Sequence, residues 1–421
     1  MAAVNTIPIR ADGVQQKSFD WLFSEFGARD PILLTGGGSP ALVWRALSAT
    51  GEPIVIKFLD SAAGLVDGHD LGTFRLKPRQ IAQVHTSAPG ISPRYVRVIG
   101  EWHGPGMAAY AMPHHRGEPV SNALNGQAAD VPGFLGTLRT ILRELTDYGY
   151  SVTEWPGDVA YFRQHYLHRV RRRLPLLRSH LDRDVLDGAG AWVNGRRRPS
   201  VTELLSRLAS DHDLVSRIAP ARLHFPLHGD LNLGNLLVHA GGYTVVDPRG
   251  TLSPWDCVYD VAKVMFSLTV FEPAMAGGFE IERRTAADGV PAYRLQLRHP
   301  RPKALAAASA LPDVLGCLPF FRHLDQVDPG WRERLEFAHA LHCLAEAACR
   351  LSDRKPLNLP GGPRGWAACL ELANGLLLTG LCLLDDVLAA QAGAAQACPV
   401  PAALSEIADP VGAGLAVGSR A

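Results

Sequence analysis

Apolar side chains are arranged in two different ways along this chain. Up to about residue 115 they come in short runs of strand length. ILLTG (32–36), ALVWRAL (41–47) and PIVIKFL (53–59) predict three strands, the last rich in β-branched residues. Thr50-Gly51-Glu52 supplies a turn between the second and third. Two more strands are expected over 95–100 and 107–112, with short helical patterns over 18–26 and 73–85. Beyond residue 116 the spacing turns helical. Phe134, Leu135, Leu138, Ile141, Leu142 and Leu145 recur at three and four residues and predict a helix over 131–150. Residues 158–182, 200–218, 258–271, 331–351 and 366–390 read the same way. Residues 278–300 read as a β-hairpin. The expected organisation is a β-lobe over 1–115, a larger and mainly helical lobe over 116–390, and a disordered Ala-, Gly- and Pro-rich tail over 391–421.

Composition narrows the function classes. Of 421 residues, 47% are apolar and 20% charged, the balance of a chain that buries a core. Lys plus Arg number 42 against 41 Asp plus Glu, so there is no basic excess to neutralise nucleic-acid phosphates. The N-terminus holds no apolar run suited to a signal peptide. The apolar run over 376–384 stops at Asp385 and Asp386, well short of the roughly 20 residues a membrane span needs, and predicts a buried helix. The seven cysteines include no C-x-x-C pair, so neither a zinc site nor a redox motif is expected, and a reduced, cytoplasmic protein is. Arg171, Arg172 and Arg173 read as a solvated helix face.

The chemistry concentrates in LHGDLNLGNLLVHAGGYTVVDPRG (227–250). LLVH and YTVVD, joined by Ala-Gly-Gly, predict a tight hairpin. Such a hairpin brings Asn235 and Asp247 to one end, with Asp230 on the adjoining loop. Two carboxylates and an amide suit a hard cation such as Mg²⁺ shared with substrate phosphates. Phosphoryl transfer also needs a carboxylate to orient an attacking hydroxyl. Asn235 and Asp247 fit the metal role, and Asp230 fits the base role.

The pattern H-G-D-x-N-x-x-N followed by V-V-D resembles the aminoglycoside phosphotransferase and choline kinase-like family, small-molecule relatives of protein kinases. His228, Asp230 and Asn235 match the family's H-x-D-x-x-x-x-N, and Asp247 in DPRG matches its D-x-x-G-like segment. PWDCVYDVAK (254–263) is similar to the family's helix start, which implies that Asp260 braces the catalytic loop from below. MPHHRGEPV (112–120) looks like the linker between lobes, where backbone near Met112 would meet adenine. The MP opening of that linker, DPRG, YDVAKVMFSLT and SDRKPLNLP (352–360) are similar to a narrower branch, phosphotransferases associated with capsule and sugar metabolism. The resemblance implies a two-lobed, protein-kinase-like α+β fold, use of ATP and Mg²⁺, and transfer to a hydroxyl of a small hydroxylated metabolite such as a sugar, cyclitol or aminocyclitol.

In that reading Gly36, Gly37 and Gly38 let backbone approach the phosphates, and Lys57 contacts them. The same loop formally fits G-x-G-x-x-A, with Asp60 about 20 residues on, so an NAD-dependent oxidoreductase is a rival; it requires a helix directly after the loop. Two departures from the family stand out. Residues 61–85 contain no Glu to hold Lys57, leaving Asp70 or another group to do so, and a non-catalytic nucleotide-binding scaffold is the alternative that this motivates. Arg249 follows the metal aspartate, with a phosphate, an anionic substrate, Asp256 or Asp260 as possible partners. His114 and His115 read as surface or substrate-rim residues.

Overall fold

The computed structural model describes residues 19–34, 40–61, 70–124, 130–299, 301–351 and 365–391, together with Leu404 and Ile407. Strands β1 (Arg29–Leu34), β2 (Leu42–Leu47), β3 (Pro53–Asp60), β4 (Gly100–Gly104) and β5 (Met107–Pro113) form one antiparallel sheet in the order β1-β2-β3-β5-β4. Helix α1 (Asp20–Glu25) and α2 (Leu71–Ser87) flank it. Both faces of β3 are covered. Ile54, Ile56 and Phe58 pack with Leu22, Phe23 and Trp44. Val55 and Leu59 pack with Phe74 and Ile81 of α2 on the other side. Lys57 falls in step with Val55 and Leu59 and is only 7% exposed. It is a buried lysine under a helix, not one on an open sheet face.

The strand expected over 95–100 lies further along, at β4. Tyr95 instead makes an isolated parallel bridge to Val245, and the Val96 amide donates to the Val245 carbonyl at 3.1 Å. This stretch is used to stitch the lobes together. Asp70 caps α2, accepting from the Thr73 amide at 2.9 Å and its hydroxyl at 2.6 Å.

The second lobe is built around two long helices, α8 (Trp331–Arg350) and α9 (Trp366–Gln391). Packed on or beside them are α3 (Val131–Tyr148), α4 (His168–Leu177), α5 (Val201–Ser210), α6 (Cys257–Phe266) and α7 (Pro302–Gly316). By length and composition α9 is apolar enough to cross a bilayer, but its apolar window is 72% buried inside the protein, the condition of a core helix. The expected hairpins form. One is β11 (Leu236–His239) with β12 (Gly242–Val245), extended by the linker strand β6 (Glu118–Pro119). The other, β13 (Phe279–Thr285) with β14 (Pro291–Leu297), joins β8 (Ala191–Val193) and β9 (Arg196–Arg198) in a four-stranded sheet.

Residues 171–173 are not one solvated face. Arg171 and Arg172 are exposed, but Arg173 and its helical neighbour Arg169 are 2% and 4% exposed and turn inward. SDRKPLNLP and most of the expected tail lie outside the described residues. Leu404 and Ile407 are buried in the main core cluster.

Candidate active site

The β11–β12 hairpin sets the register of the site. Leu236 faces Val245, and the Val246 amide donates to the Asn235 carbonyl at 3.0 Å. Asn235 and Asp247 therefore lie side by side at the hairpin's open end. Asp247 takes a left-handed conformation, φ 57°, which Asp tolerates better than most residues. This turns the chain away from the sheet and aims the carboxylate at the cleft.

His228 anchors the preceding loop. The Asp230 amide donates to Nδ1 of His228 at 3.2 Å, so Nε2 carries the proton and donates to the Val246 carbonyl at 2.8 Å. One imidazole thus joins the Asp230 loop to the Asp247 strand. Below it, Asp260 is fully buried and accepts from the His228 amide and the Tyr150 hydroxyl, both at 3.0 Å. Burial pushes its carboxyl up, against those hydrogen bonds. Asp260 thus holds loop backbone, as the resemblance implied.

Asp230 faces the cleft with its side chain 26% exposed, 3.0 Å from the Lys263 ammonium. Burial alone would raise its carboxyl, but Lys263 outweighs that and holds it below the ordinary carboxylate range. The Asn235 amide donates to the Asp230 carbonyl at 2.9 Å, and Asn232 donates to the Asp230 carboxylate at 3.0 Å. Lys263 also donates to Glu346 at 2.9 Å, so one buried ammonium links the two carboxylates.

Asp247 resolves what holds Lys57. Oδ1 of Asp247 lies 2.7 Å from the ammoniums of both Lys57 and Lys77, and Tyr110 donates to it at 3.4 Å. Burial opposes ionisation, but the two lysines hold the carboxyl far below the usual range. Helix α2 therefore supplies a cation, Lys77, where a glutamate was sought. One turn on, Gln80 is wholly buried. Its amide donates to the Leu227 carbonyl at 2.7 Å, and its oxygen accepts from Gly250 at 2.6 Å and Thr251 at 3.0 Å. Gln80 clamps α2 to the Asp230 and Asp247 segments at once.

Arg249 donates to the Tyr259 hydroxyl at 2.9 Å and lies over the Trp255 and Tyr259 rings at 5.2 and 5.6 Å. The carboxylates offered to it by sequence are engaged elsewhere. Asp256 takes Arg334 at 2.7 Å and the Tyr166 hydroxyl at 2.6 Å, and Asp260 takes loop backbone. Lys57, Met112, Asp230, Asn235, Asp247 and Arg249 line one cleft of about 590 Å³ between the lobes, with His114 and His115 at its rim. Gly36, Gly37 and Gly38 lie outside the described residues. The strands around them pair antiparallel, with Leu34 opposite Val43, so the loop closes a hairpin. The helix that a dinucleotide site would need at that point is replaced by β2.

Among the described residues no three His, Cys, Asp or Glu side chains cluster as a metal cage. The donor set that is present, the Asp247 carboxylate and the Asn235 amide oxygen beside Asp230, fits a hard cation that keeps waters and substrate oxygens in its shell. Lys77, Gln80, Lys263, Glu346, Arg169, Arg173 and Arg350 were not singled out in the sequence. For Lys263 a signal existed: it stands three residues after Asp260 on the same helix, hence on nearly the same face.

No protein-family model and no curated protein matches this chain. Solved structures similar to it include an aminoglycoside-3'-phosphotransferase of type VIII, at 18% identity and TM-score 0.43 over 78% of this chain and 97% of that one. An aminoglycoside phosphotransferase from Streptomyces rimosus, in complex with ADP and streptomycin, aligns at 15% identity and TM-score 0.45 over 80% and 99%. An amicoumacin kinase in complex with AMP-PNP, Ca²⁺ and Ami aligns at 12% identity and TM-score 0.39 over 81% and 86%.

Proposed function

We propose that this protein is an ATP- and Mg²⁺-dependent phosphotransferase that acts on a hydroxyl of a small metabolite of the sugar, cyclitol or aminocyclitol kind. The observation that carries the reading is the shared cleft. One carboxylate, Asp230, is kept ionised by Lys263, and a second, Asp247, is charge-balanced by Lys57 and Lys77. Both are fixed to one another through His228.

In this reading Asp230 accepts the acceptor's hydroxyl proton. The acceptor oxygen bonds to the γ-phosphorus while the bond to the β–γ bridging oxygen breaks, its electron pair leaving with ADP. Asn235 and Asp247 would hold Mg²⁺, which supplies charge neutralisation on the phosphates. Lys57 and the backbone of Gly36 to Gly38 would bind phosphates, and the strand end at Met112 would meet adenine. His228 and Asp260 position the loop. Catalysis then consists of positioning and charge stabilisation.

The test is Asp230→Asn. Turnover should drop by roughly 10²-fold or more while Mg·ATP binding persists, because Asp247 and Lys57 are untouched. Near-normal transfer by a folded Asp230→Asn protein would refute the assignment. The second reading, a nucleotide-binding scaffold without catalysis, is favoured by Lys77 standing where an acidic helix residue was sought. It predicts nucleotide binding with no transfer to any acceptor in a broad panel.

A further inference from the structure

Beyond Asp230 the cleft narrows onto α4, α6 and α8, and the side chains there are mostly cations. Arg169 and Arg173 project from successive turns of α4, Lys263 from α6 and Arg350 from α8, and all four line the cleft. They are 4%, 2%, 2% and 1% exposed. Glu346 sits among them, accepting from Lys263 at 2.9 Å and from Arg169 and Arg350, each at 3.2 Å. Arg249 adds a fifth cation. The carboxylates lining this end among the described residues are Asp230, Glu346 and Glu272, and burial pushes the Glu272 carboxyl up.

The neutral contacts of these guanidiniums are telling. Arg169 donates to Nδ1 of His342 at 3.1 Å. Burial, reinforced by Lys263 and Arg169, holds that imidazole neutral. Arg173 donates to the Ala345 carbonyl at 3.0 Å and to the Cys349 sulfur at 3.1 Å. Arg350 reaches the Met275 sulfur at 3.6 Å. Sulfur is a weak acceptor.

Burying cations in excess of carboxylates is costly unless an anion arrives to balance them. A purely structural tie between three helices would be served by one arginine for each carboxylate, packed in the core and away from the cavity. Guanidinium forks also match the oxygens of phosphate and carboxylate in pairs. A polycationic acceptor would meet a wall of its own charge. We infer that the acceptor site takes a hydroxylated metabolite already bearing an anionic group, a phosphate ester or a carboxylate, held by Arg169, Arg173 and Arg350 while its free hydroxyl lies at Asp230. The inference rests on the phosphotransferase reading for the placement of that hydroxyl, but the anion site itself does not.

The test is calorimetry on the full chain saturated with AMP-PNP and Mg²⁺. The probes are a set of hexose phosphates, a hexuronate, the parent neutral hexoses and a polycationic aminoglycoside, followed by transfer assays with ATP and the same compounds. At least one anionic probe should bind tenfold or more tighter than its neutral parent. Hexose phosphate and hexuronate are separate arms, and the tighter of the two identifies the anion. Arg173→Met should remove the preference and Arg173→Lys should keep part of it, with AMP-PNP affinity unchanged in both. If Arg173→Met does not fold, inorganic phosphate provides the second measurement: it should raise the melting temperature of the unaltered protein above that in chloride at matched ionic strength. Neutral or cationic probes binding as tightly as anionic ones, or no stabilisation by phosphate, would overturn the inference while leaving the phosphotransferase reading intact. Tight anion binding with no transfer to any probe would instead count against the phosphotransferase reading and leave the anion site standing.

Discussion

Lys263 decides what Asp230 can do. A carboxylate at the wall of a cleft would ordinarily be pushed toward its neutral form by burial, yet this one is held ionised by an ammonium at 3.0 Å. Because the folded-state value is depressed, the pair stabilises the protein above the unfolded carboxyl value and loses that contribution as pH falls through the folded one. Lys263→Met leaves Asp230 and Glu346 facing each other without their shared cation. A stability loss of about 3–5 kcal/mol should appear in thermal melts, and the acid limb of the kcat/KM profile should move to higher pH. An unshifted profile would show that Lys263 does not tune Asp230. Glu336 gives a test of opposite sign. Burial, with Glu333 nearby, pushes its carboxyl up to about 7, so the folded state resists ionisation and stability falls as pH rises from the ordinary Glu value toward 7. Glu336→Gln should flatten that slope, narrowing the difference between melting temperatures at pH 5 and pH 8. His228, Asp230, Asn235, Asp247 and Asp260 were legible because their spacing lies within one short stretch. Lys77 and Lys263 were not, since a lysine inside a helical pattern reads as solvated until another element is packed over it.

At the scale of elements, α2 is where local pattern and tertiary role part company. Its helical spacing was readable, and the search for an acidic residue on it was reasonable. What the helix contributes is Lys77 and Gln80, whose partners are more than a hundred residues away in the chain. The same limit explains β4: the apolar residues over 95–98 look like a strand, but they serve the junction with Val245 and the sheet uses the following segment. It explains Arg173 too, which a run of three arginines hides among two exposed neighbours. The junction of α2 with the DPRG segment is tight. Gly250 has φ +88°, and a Cβ there would lie 2.1 Å from the Thr73 carbonyl oxygen. Gly250→Ala must therefore move α2 or strain the loop, and either separates Gln80 from its partners. Gln80→Leu removes the clamp directly, leaving the buried Leu227 carbonyl and the Gly250 amide to find new partners, at about 1–3 kcal/mol for each group left unsatisfied. Both variants should melt earlier and show a raised KM for ATP with a smaller effect on the acceptor's KM. Equal effects on the two substrates would place the clamp's influence elsewhere.

Across the whole molecule, the two lobes meet at one carboxylate. Lys57 from the sheet, Lys77 from α2 and Tyr110 from β5 all converge on Oδ1 of Asp247, which belongs to the other lobe. The same carboxylate is the proposed metal ligand, so two roles compete for it. Without nucleotide, two ammoniums balance its charge and tie the lobes. With Mg·ATP, the phosphates offer those lysines a new partner, and Asp247 becomes available to the ion. The exchange keeps every buried charge compensated, which is what a low-dielectric cleft demands. It follows that nucleotide binding depends on magnesium through Asp247. For the unaltered protein, Mg·ATP at 100 times its dissociation constant should add about 2.7 kcal/mol of stability, and ATP with a chelator much less. Asp247→Asn should lower the melting temperature of the free protein, because Lys57 and Lys77 lose their counter-ion, and it should abolish the difference between ATP with and without magnesium. Lys77→Met should do the reverse for the metal: a less stable free protein, with a lower magnesium requirement, since one competitor for the carboxylate is gone. If Asp247→Asn kept a magnesium-dependent shift as large as the parent's, the ion would be held by other residues and the lobe junction would have no part in loading it.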